Sequence, residues 1–230
     1  MLTLDAALRA TEILLALAFL QQSAEYIFGS RAAWMLFGVR AALSIGLLFG
    51  VYGAWVLLAL CVHSIFVLHR FQGPYNGGSD RMGLLVLYCL SLSRWMPTAA
   101  LQEVAFGYLA VQVILSYFIS GQVKIINPEW RSGRALGDVF SFSVYPVALS
   151  LRALALRPRL LWIASWSVML FELLFPLSFL NAGLLILALI LAAGFHIANA
   201  CLFGLNRFVW FWVASYPSLL WLQGRVFPGG

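Results

Sequence analysis

The chain has few charged residues. Asp, Glu, Lys and Arg make up 10% of its 230 residues, whereas hydrophobic residues make up 63% and the mean hydropathy is +0.94. Charged residues account for about a quarter of an ordinary soluble domain, so the composition excludes that class. A helix that crosses a bilayer needs about 20 apolar residues, which leaves room for up to about eight crossings.

Histidine and cysteine are also scarce. The three histidines are too few for the histidine boxes of a membrane di-iron oxygenase, and no HExxH, G-x-S-x-G or phosphate-binding glycine loop occurs. The three cysteines lie apart without CxxC spacing, which is typical of buried apolar side chains. A b-type haem held by His63 and His196 has no further haem motif to support it. No internal repeat or pair of broken helices indicates a transporter.

The hydrophobic pattern predicts an all-helical, polytopic integral membrane protein with a single domain over residues 1–230. Clusters of charge, glycine and proline divide the apolar runs into eight segments, near 8–28, 33–50, 52–69, 82–97, 100–121, 160–180, 183–204 and 207–224. Residues 122–159 differ, because charged and aromatic side chains alternate there. That pattern predicts a re-entrant or interfacial amphipathic segment in addition to about eight transmembrane helices.

The net charge of +6 comes from thirteen arginines and a single lysine, Lys124. Such an excess in a membrane protein typically reflects topology and phospholipid contacts, so we expect a lipid bilayer as partner and no nucleic acid. If residues 122–159 return to the side that they left, ten basic residues share one face and three share the other. The crowded face would then be cytoplasmic.

A polar, glycine-rich stretch from His69 to Arg81 interrupts two apolar runs and is the first candidate site. Bilayer hydrocarbon offers no hydrogen-bond partners, so the stretch is expected at the interface or in a protected cavity. Its Asn-Gly-Gly sequence predicts a turn, with Ser79 or Asp80 capping the helix that follows. Asp80 needs a partner at the membrane boundary, which Arg70 or Arg81 can provide.

The second candidate is Lys124, which follows the long apolar run ending at Gly121. Its ammonium can reach lipid headgroups while its stem lies among acyl chains. Alternatively, the amine is partly desolvated and acts as a base. Glu172 and His196 lie within apolar runs, where an ionisable residue is a functional candidate, although a structural hydrogen bond to a neighbouring helix explains each of them as well.

Taken in order, these blocks resemble the HTTM family, the membrane domain shared by vitamin K-dependent gamma-carboxylase and many bacterial proteins. The matching pieces are Asn76-Gly77-Gly78-Ser79-Asp80-Arg81, Gly121-x-x-Lys124, Trp130-x-x-Gly133, Glu172 before Phe175-Pro176, Phe195-His196, Gly204-Leu205-Asn206-Arg207-Phe208 and Tyr216-Pro217. The resemblance implies a multi-pass protein of a bacterial inner membrane.

The resemblance further implies that Lys124 is a base that deprotonates a hydroquinone or another lipid-like substrate, which reaches it from the membrane. His196 and Glu172 would orient groups or relay protons. The substrate-binding residues implied alongside them are Asp80, Arg81, Trp130, Arg134 and His69. The implied cofactor is a membrane quinone or hydroquinone, and no metal is expected.

Two features separate this sequence from the carboxylase. Lys124 and Trp130 are one residue further apart than expected, and the sequence ends at Gly230 without the large extramembrane region that helps the carboxylase bind its protein substrate. The alternative function is therefore a non-catalytic scaffold that helps mature or export a small secreted protein. The carboxylase also places its reactive face in the lumen, which conflicts with the charge count.

Overall fold

A computed structural model of the chain describes residues 2–28, 31–70, 77–142 and 148–228. Over these residues the fold is all-helical, which confirms the predicted class. The elements in chain order are α1 (Leu4–Tyr26), α2 (Arg31–Leu48), α3 (Gly53–Arg70), α4 (Gly77–Trp95), α5 (Ala99–Ile126), α6 (Pro128–Arg131), α7 (Arg134–Phe142), α8 (Leu149–Arg152), a 3₁₀ helix (Ala153–Leu156), α9 (Pro158–Ser178), α10 (Ala182–Phe203) and α11 (Asn206–Val226).

Short polar residues and glycine set several helix boundaries. The Thr3 hydroxyl caps α1 by accepting a hydrogen bond from the backbone N–H of Ala6. The Asn181 side chain caps α10 in the same way, with the backbone N–H of Leu184 as donor. Asn127 caps α6, whose first residue is a proline that has no N–H to satisfy. Gly204 ends α10 with a φ of 68°, a left-handed conformation that favours glycine.

Among the described residues, three helices are long and apolar enough to cross a membrane, namely α5, α9 and α10. Two shorter apolar helical stretches, Ala33–Leu48 and Gly53–His69, lie within α2 and α3. The helix bounds follow the predicted apolar runs, with two differences. Helix α5 continues past 121 to Ile126, and α4 begins at Gly77 rather than near Arg81. The count of eight crossings and the single domain over 1–230 stay predictions.

The chain forms two compact units. The first unit contains Met1–Ala110 and Arg207–Gly229, and the second contains Val111–Asn206. Helices α1 to α4 and nearly all of α11 therefore belong to the first unit. Helices α6 to α10 belong to the second, and α5 contributes its first part to one unit and its last part to the other.

In the first unit, α1 packs against α2 and α4, and α3 packs against α2 and α4. The core between them is apolar, and Leu15, Leu57 and Leu87 are fully buried. Helix α11 lies close to α4 at Gly83, where an added Cβ would approach the Phe211 ring to 2.7 Å. The close contact explains why this helix position has no side chain.

In the second unit, α9 and α10 are consecutive helices that pack together, and α6 and α7 pack on α9. Phe140 of α7, Leu161 of α9 and Phe203 of α10 form a buried apolar cluster. Phe142, two residues beyond Phe140, is 78% exposed, so α7 places one aromatic side chain in the cluster and another outside it. The re-entrant or interfacial character of this segment stays a prediction. Gly133 joins α6 to α7 with a φ of +80°. An added Cβ at this position would lie 2.8 Å from the backbone nitrogen of Trp162 on α9.

Candidate functional site

Lys124 and Glu172 form a close ion pair in the second unit. Lys124 lies in the last turn of α5, and its Nζ donates to Oε1 and Oε2 of Glu172 on α9, both at 2.5 Å. It also donates to the Ser120 Oγ at 2.8 Å. The side chain of Lys124 is 17% exposed and that of Glu172 is 4% exposed. The two opposite charges therefore compensate each other within an apolar pair of helices.

A glycine allows this pairing. An added Cβ at Gly121 would lie 2.6 Å from the backbone nitrogen of Leu173, so only glycine permits the backbones of α5 and α9 to come this close. Lys124 follows Gly121 by three residues and Glu172 immediately precedes Leu173, so the contact places the amine opposite the carboxylate. The Trp130 ring lies beside the pair, with its centroid 5.3 Å from the Lys124 Nζ, within range of a cation–π interaction.

A second polar pair lies on the same side of α5. The Tyr117 hydroxyl and the His196 Nε2 are 2.9 Å apart, and both side chains are 3% exposed. The Tyr117 ring stacks on Phe175 with centroids 4.2 Å apart. Tyr117, Ser120 and Lys124 are spaced by three and four residues, so they share one face of the helix. Sequence analysis missed Tyr117 and Ser120, although this spacing was available as a signal.

Asp80 belongs to a network in the first unit. Gln22 donates to its Oδ1 at 2.8 Å, and Arg207 lies 3.5 Å from the same oxygen and 3.0 Å from Glu25. Arg40, which is 4% exposed, donates from its Nη1 to the side-chain amide oxygen (Oε1) of Gln22 at 2.7 Å. Side chains from α1, α2, α4 and α11 are therefore linked through charge and hydrogen bonds in this network.

The expected local role of Asp80 changes accordingly. Because α4 begins at Gly77, Ser79 and Asp80 lie inside its first turn and do not precede it as capping residues. The described partners of Asp80 are Gln22 and Arg207, whereas Arg81 is exposed. The side chain of Arg70 lies outside the described part of the structure.

A further cluster surrounds Glu12 in the first unit. Arg94 Nε donates to Glu12 Oε1 at 2.7 Å, and Arg9 Nη1 donates to Oε2 at 3.0 Å. Arg9 also donates to the carbonyl oxygens of Leu47 and Leu48 at the C-terminal end of α2. Sequence analysis did not name Glu12, although an acid inside the predicted 8–28 run was a signal.

The remaining predicted residues are more accessible. His69 at the end of α3 is exposed, and so is Arg134 of α7, which pairs with Glu129 at 3.3 Å and Asp138 at 3.8 Å. The second unit therefore brings Lys124, Glu172 and Trp130 together. Within the described residues, no group of three or more His, Cys, Asp or Glu side chains is arranged to hold a metal ion.

The model of the HTTM domain matches residues 92–222, which is more than half of the chain. The chain belongs to the HTTM family. The predicted resemblance is thereby confirmed, and the HTTM match contains Lys124, Trp130, Glu172 and His196 but begins after Asp80. No curated protein and no solved structure matches the chain at a significant level.

Proposed function

We propose that this HTTM protein is a membrane-embedded, gamma-carboxylase-like enzyme or enzyme subunit in which Lys124 takes a proton from a hydroquinone or another lipid-like substrate. The observation that supports the proposal is the Lys124–Glu172 pair, a largely buried amine and carboxylate within the region that matches the HTTM domain. Lys124 is the sole lysine of the sequence. An amine can lose its proton in a desolvated site, whereas arginine stays charged.

Lys124 can act as a base only when the proton that it shares with Glu172 lies on the carboxylate. In the ion-paired form the amine is already protonated and has no lone pair for a substrate. If that proton moves to Glu172, both groups become neutral, a change that an apolar surrounding favours because no charge is left to desolvate. Lys124 then accepts the phenolic proton of a hydroquinone, and the substrate anion forms beside a newly charged ammonium. Glu172 is therefore the proton partner of the base.

His196 and Tyr117 are proposed to move or orient protons along the same face of α5. Their hydrogen bond of 2.9 Å lies two helical turns from Lys124 along the chain, and Ser120 lies between. Trp130 and Arg134 are proposed to shape the substrate pocket in the second unit. The roles of Asp80, Arg81 and His69 in substrate binding stay predictions.

We further propose that eight helices cross the membrane, in a bacterial inner membrane. In the described residues, the helices α1, α2, α3, α4, α5, α9, α10 and α11 each have at least 18 residues. At about 1.5 Å per residue, 18 residues span about 27 Å, close to the thickness of the hydrocarbon layer. The short helices between α5 and α9 would form the re-entrant or interfacial segment.

The experiment is oxidation of vitamin K hydroquinone by dioxygen with the purified protein in phospholipid vesicles. Lys124→Arg keeps a cation opposite Glu172 but removes the amine that can lose its proton, so it should lower the rate at least about 100-fold while the protein stays folded. Arg225→Lys, a charge-conserving substitution at an exposed position of the first unit, is the control and should keep the rate of the intact protein. Undiminished activity of Lys124→Arg would exclude the lysine as base.

The scaffold alternative is favoured by one observation. The Lys124 ammonium already has two carboxylate oxygens and the Ser120 hydroxyl as acceptors, which is the arrangement of a structural clamp between α5 and α9. A scaffold would lack hydroquinone turnover, and a partner protein would co-purify equally with the intact protein and Lys124→Arg. An enzyme would lose turnover in that variant whether or not a partner is bound.

A further inference from the structure

An apolar groove runs between α2 and α3 in the first unit. Its volume is about 670 Å³, within the range of roughly 300–1,000 Å³ that is usual for small-molecule sites. The lining includes Val39 and Leu43 of α2 together with Trp55, Val62, His63 and Phe66 of α3. Trp55 and Phe66 are 62% and 63% exposed, so the walls of the groove are open to its surroundings.

His63 is the titratable side chain of this lining, and it is only 8% exposed. Its Nε2 lies 2.9 Å from the backbone carbonyl oxygen of Leu36. A carbonyl oxygen only accepts hydrogen bonds, so Nε2 must carry the hydrogen. In the neutral imidazole, Nδ1 is then an acceptor with a free lone pair. That Nδ1 atom is buried and has no hydrogen-bond partner among the described residues.

We infer that this groove binds a membrane-soluble lipid that carries a hydroxyl group, with its apolar chain along α2 and α3 and its hydroxyl donating to the His63 Nδ1. An ordinary acyl chain fills the apolar walls but leaves the acceptor unsatisfied, whereas a hydroxyl also satisfies it. Because the Nδ1 atom is buried, binding of the hydroxyl requires the exposed Trp55 or Phe66 side chain to move and open a path to it. The site is separate from the Lys124–Glu172 pair and does not depend on the proposed enzymatic function.

The test compares farnesol with farnesyl methyl ether, which have the same chain but differ in the hydroxyl donor. Binding of each is measured to the full-length protein in phosphatidylcholine nanodiscs. The intact protein should bind farnesol about 10-fold more tightly than the ether, the equivalent of one net hydrogen bond. His63→Leu removes the acceptor, so it should bind both compounds with the affinity of the ether.

Two further variants keep the result interpretable if His63→Leu folds poorly. Val62→Trp adds bulk to the half-exposed wall of the groove and should weaken binding of both compounds. Ile65→Ala, on the same helix but outside the lining, should bind as the intact protein does. Equal affinity of the intact protein for the two compounds, or unchanged binding in Val62→Trp, would overturn the inference.

Discussion

The two units bury charge in different ways. In the first unit the buried acid Glu12 is held by two cations, Arg9 and Arg94, and the buried cation Arg207 contacts two carboxylates, those of Glu25 and Asp80. In the described part of the second unit, the buried acid Glu172 is held by one cation, Lys124. A shared charge keeps a partner when one group is lost or changes protonation, whereas a single pair does not. The second arrangement is therefore better suited to moving a proton, and the first to fixing helix ends.

The two units also differ in the type of cation that pairs with their buried acids. All described ion pairs of the first unit use arginine, which stays protonated and fixes several acceptors at once, as Arg9 does for Glu12 and two carbonyl oxygens. The buried pair of the second unit uses lysine, whose charge depends on its surroundings. This contrast supports placing the proposed chemistry at Lys124 rather than at the networks of Asp80 or Glu12.

The largest effect is expected from breaking the single pair. Lys124→Met leaves the buried Glu172 without its cation, which should lower the free energy of unfolding by about 3–5 kcal/mol. Adding Glu172→Leu removes both charges and should restore most of that loss, because an apolar pair needs no compensation. Unfolding temperatures of the purified variants in detergent measure both effects. A double variant as unstable as Lys124→Met would contradict a compensated charge pair.

The helices and the ionisable residues of this pair were predictable from sequence, but their pairing was not. Hydrophobic runs of sufficient length predicted helices near 100–121 and 160–180, and a lysine and an acid at such positions are conspicuous. Lys124 and Glu172 are 48 residues apart in the sequence. They face each other because the backbones of α5 and α9 come close together at Gly121. Periodicity describes one helix at a time and does not specify its neighbour.

Asp80 likewise has partners that its local sequence did not indicate, although Arg70, one of the two arginines considered, has no described side chain. Local turn chemistry favoured a capping role and an arginine nearby in the chain, whereas the observed partners Gln22 and Arg207 come from α1 and the start of α11. Glu12 and Tyr117 show a different limit. Both were visible in apolar runs, but their importance follows from Arg94 and His196, which tertiary packing brings to them.

A smaller effect is expected from changing the helix contact that positions the pair. Gly121→Ala would place its Cβ against the backbone of Leu173, which cannot rotate away, so the helices must separate and the unfolding free energy should fall by about 1–3 kcal/mol. Gly194→Ala on α10 is the matched control, because no atom lies within 4 Å of its added Cβ. It should be neutral or stabilising by up to about 1 kcal/mol. Equal unfolding temperatures for the two variants would contradict the close helix contact.

The shared network of the first unit should tolerate a loss better than the pair does. In Glu12→Gln, Arg9 keeps its bonds to Leu47 and Leu48 and Arg94 keeps Asp5, so we expect a loss of about 1–2 kcal/mol. The comparison variant Asp5→Asn changes a carboxylate that is 92% exposed and should cost less than about 1 kcal/mol. If thermal unfolding showed Glu12→Gln to be as damaging as Lys124→Met, the distinction between shared and single pairs would fail.

The smallest effect on stability is expected at Arg134, in the same unit as the buried pair. Arg134 contacts Glu129 and Asp138, but the three side chains are 70%, 48% and 53% exposed, and exposed pairs contribute little. Arg134→Gln should therefore change the unfolding free energy by less than about 0.5 kcal/mol. A role in substrate binding would appear instead as a raised KM for the hydroquinone with kcat retained, and Arg134→Lys would restore part of it. If unfolding temperature and KM are both unchanged, Arg134 has no part in the pocket, and the chemistry of the second unit is confined to its buried groups.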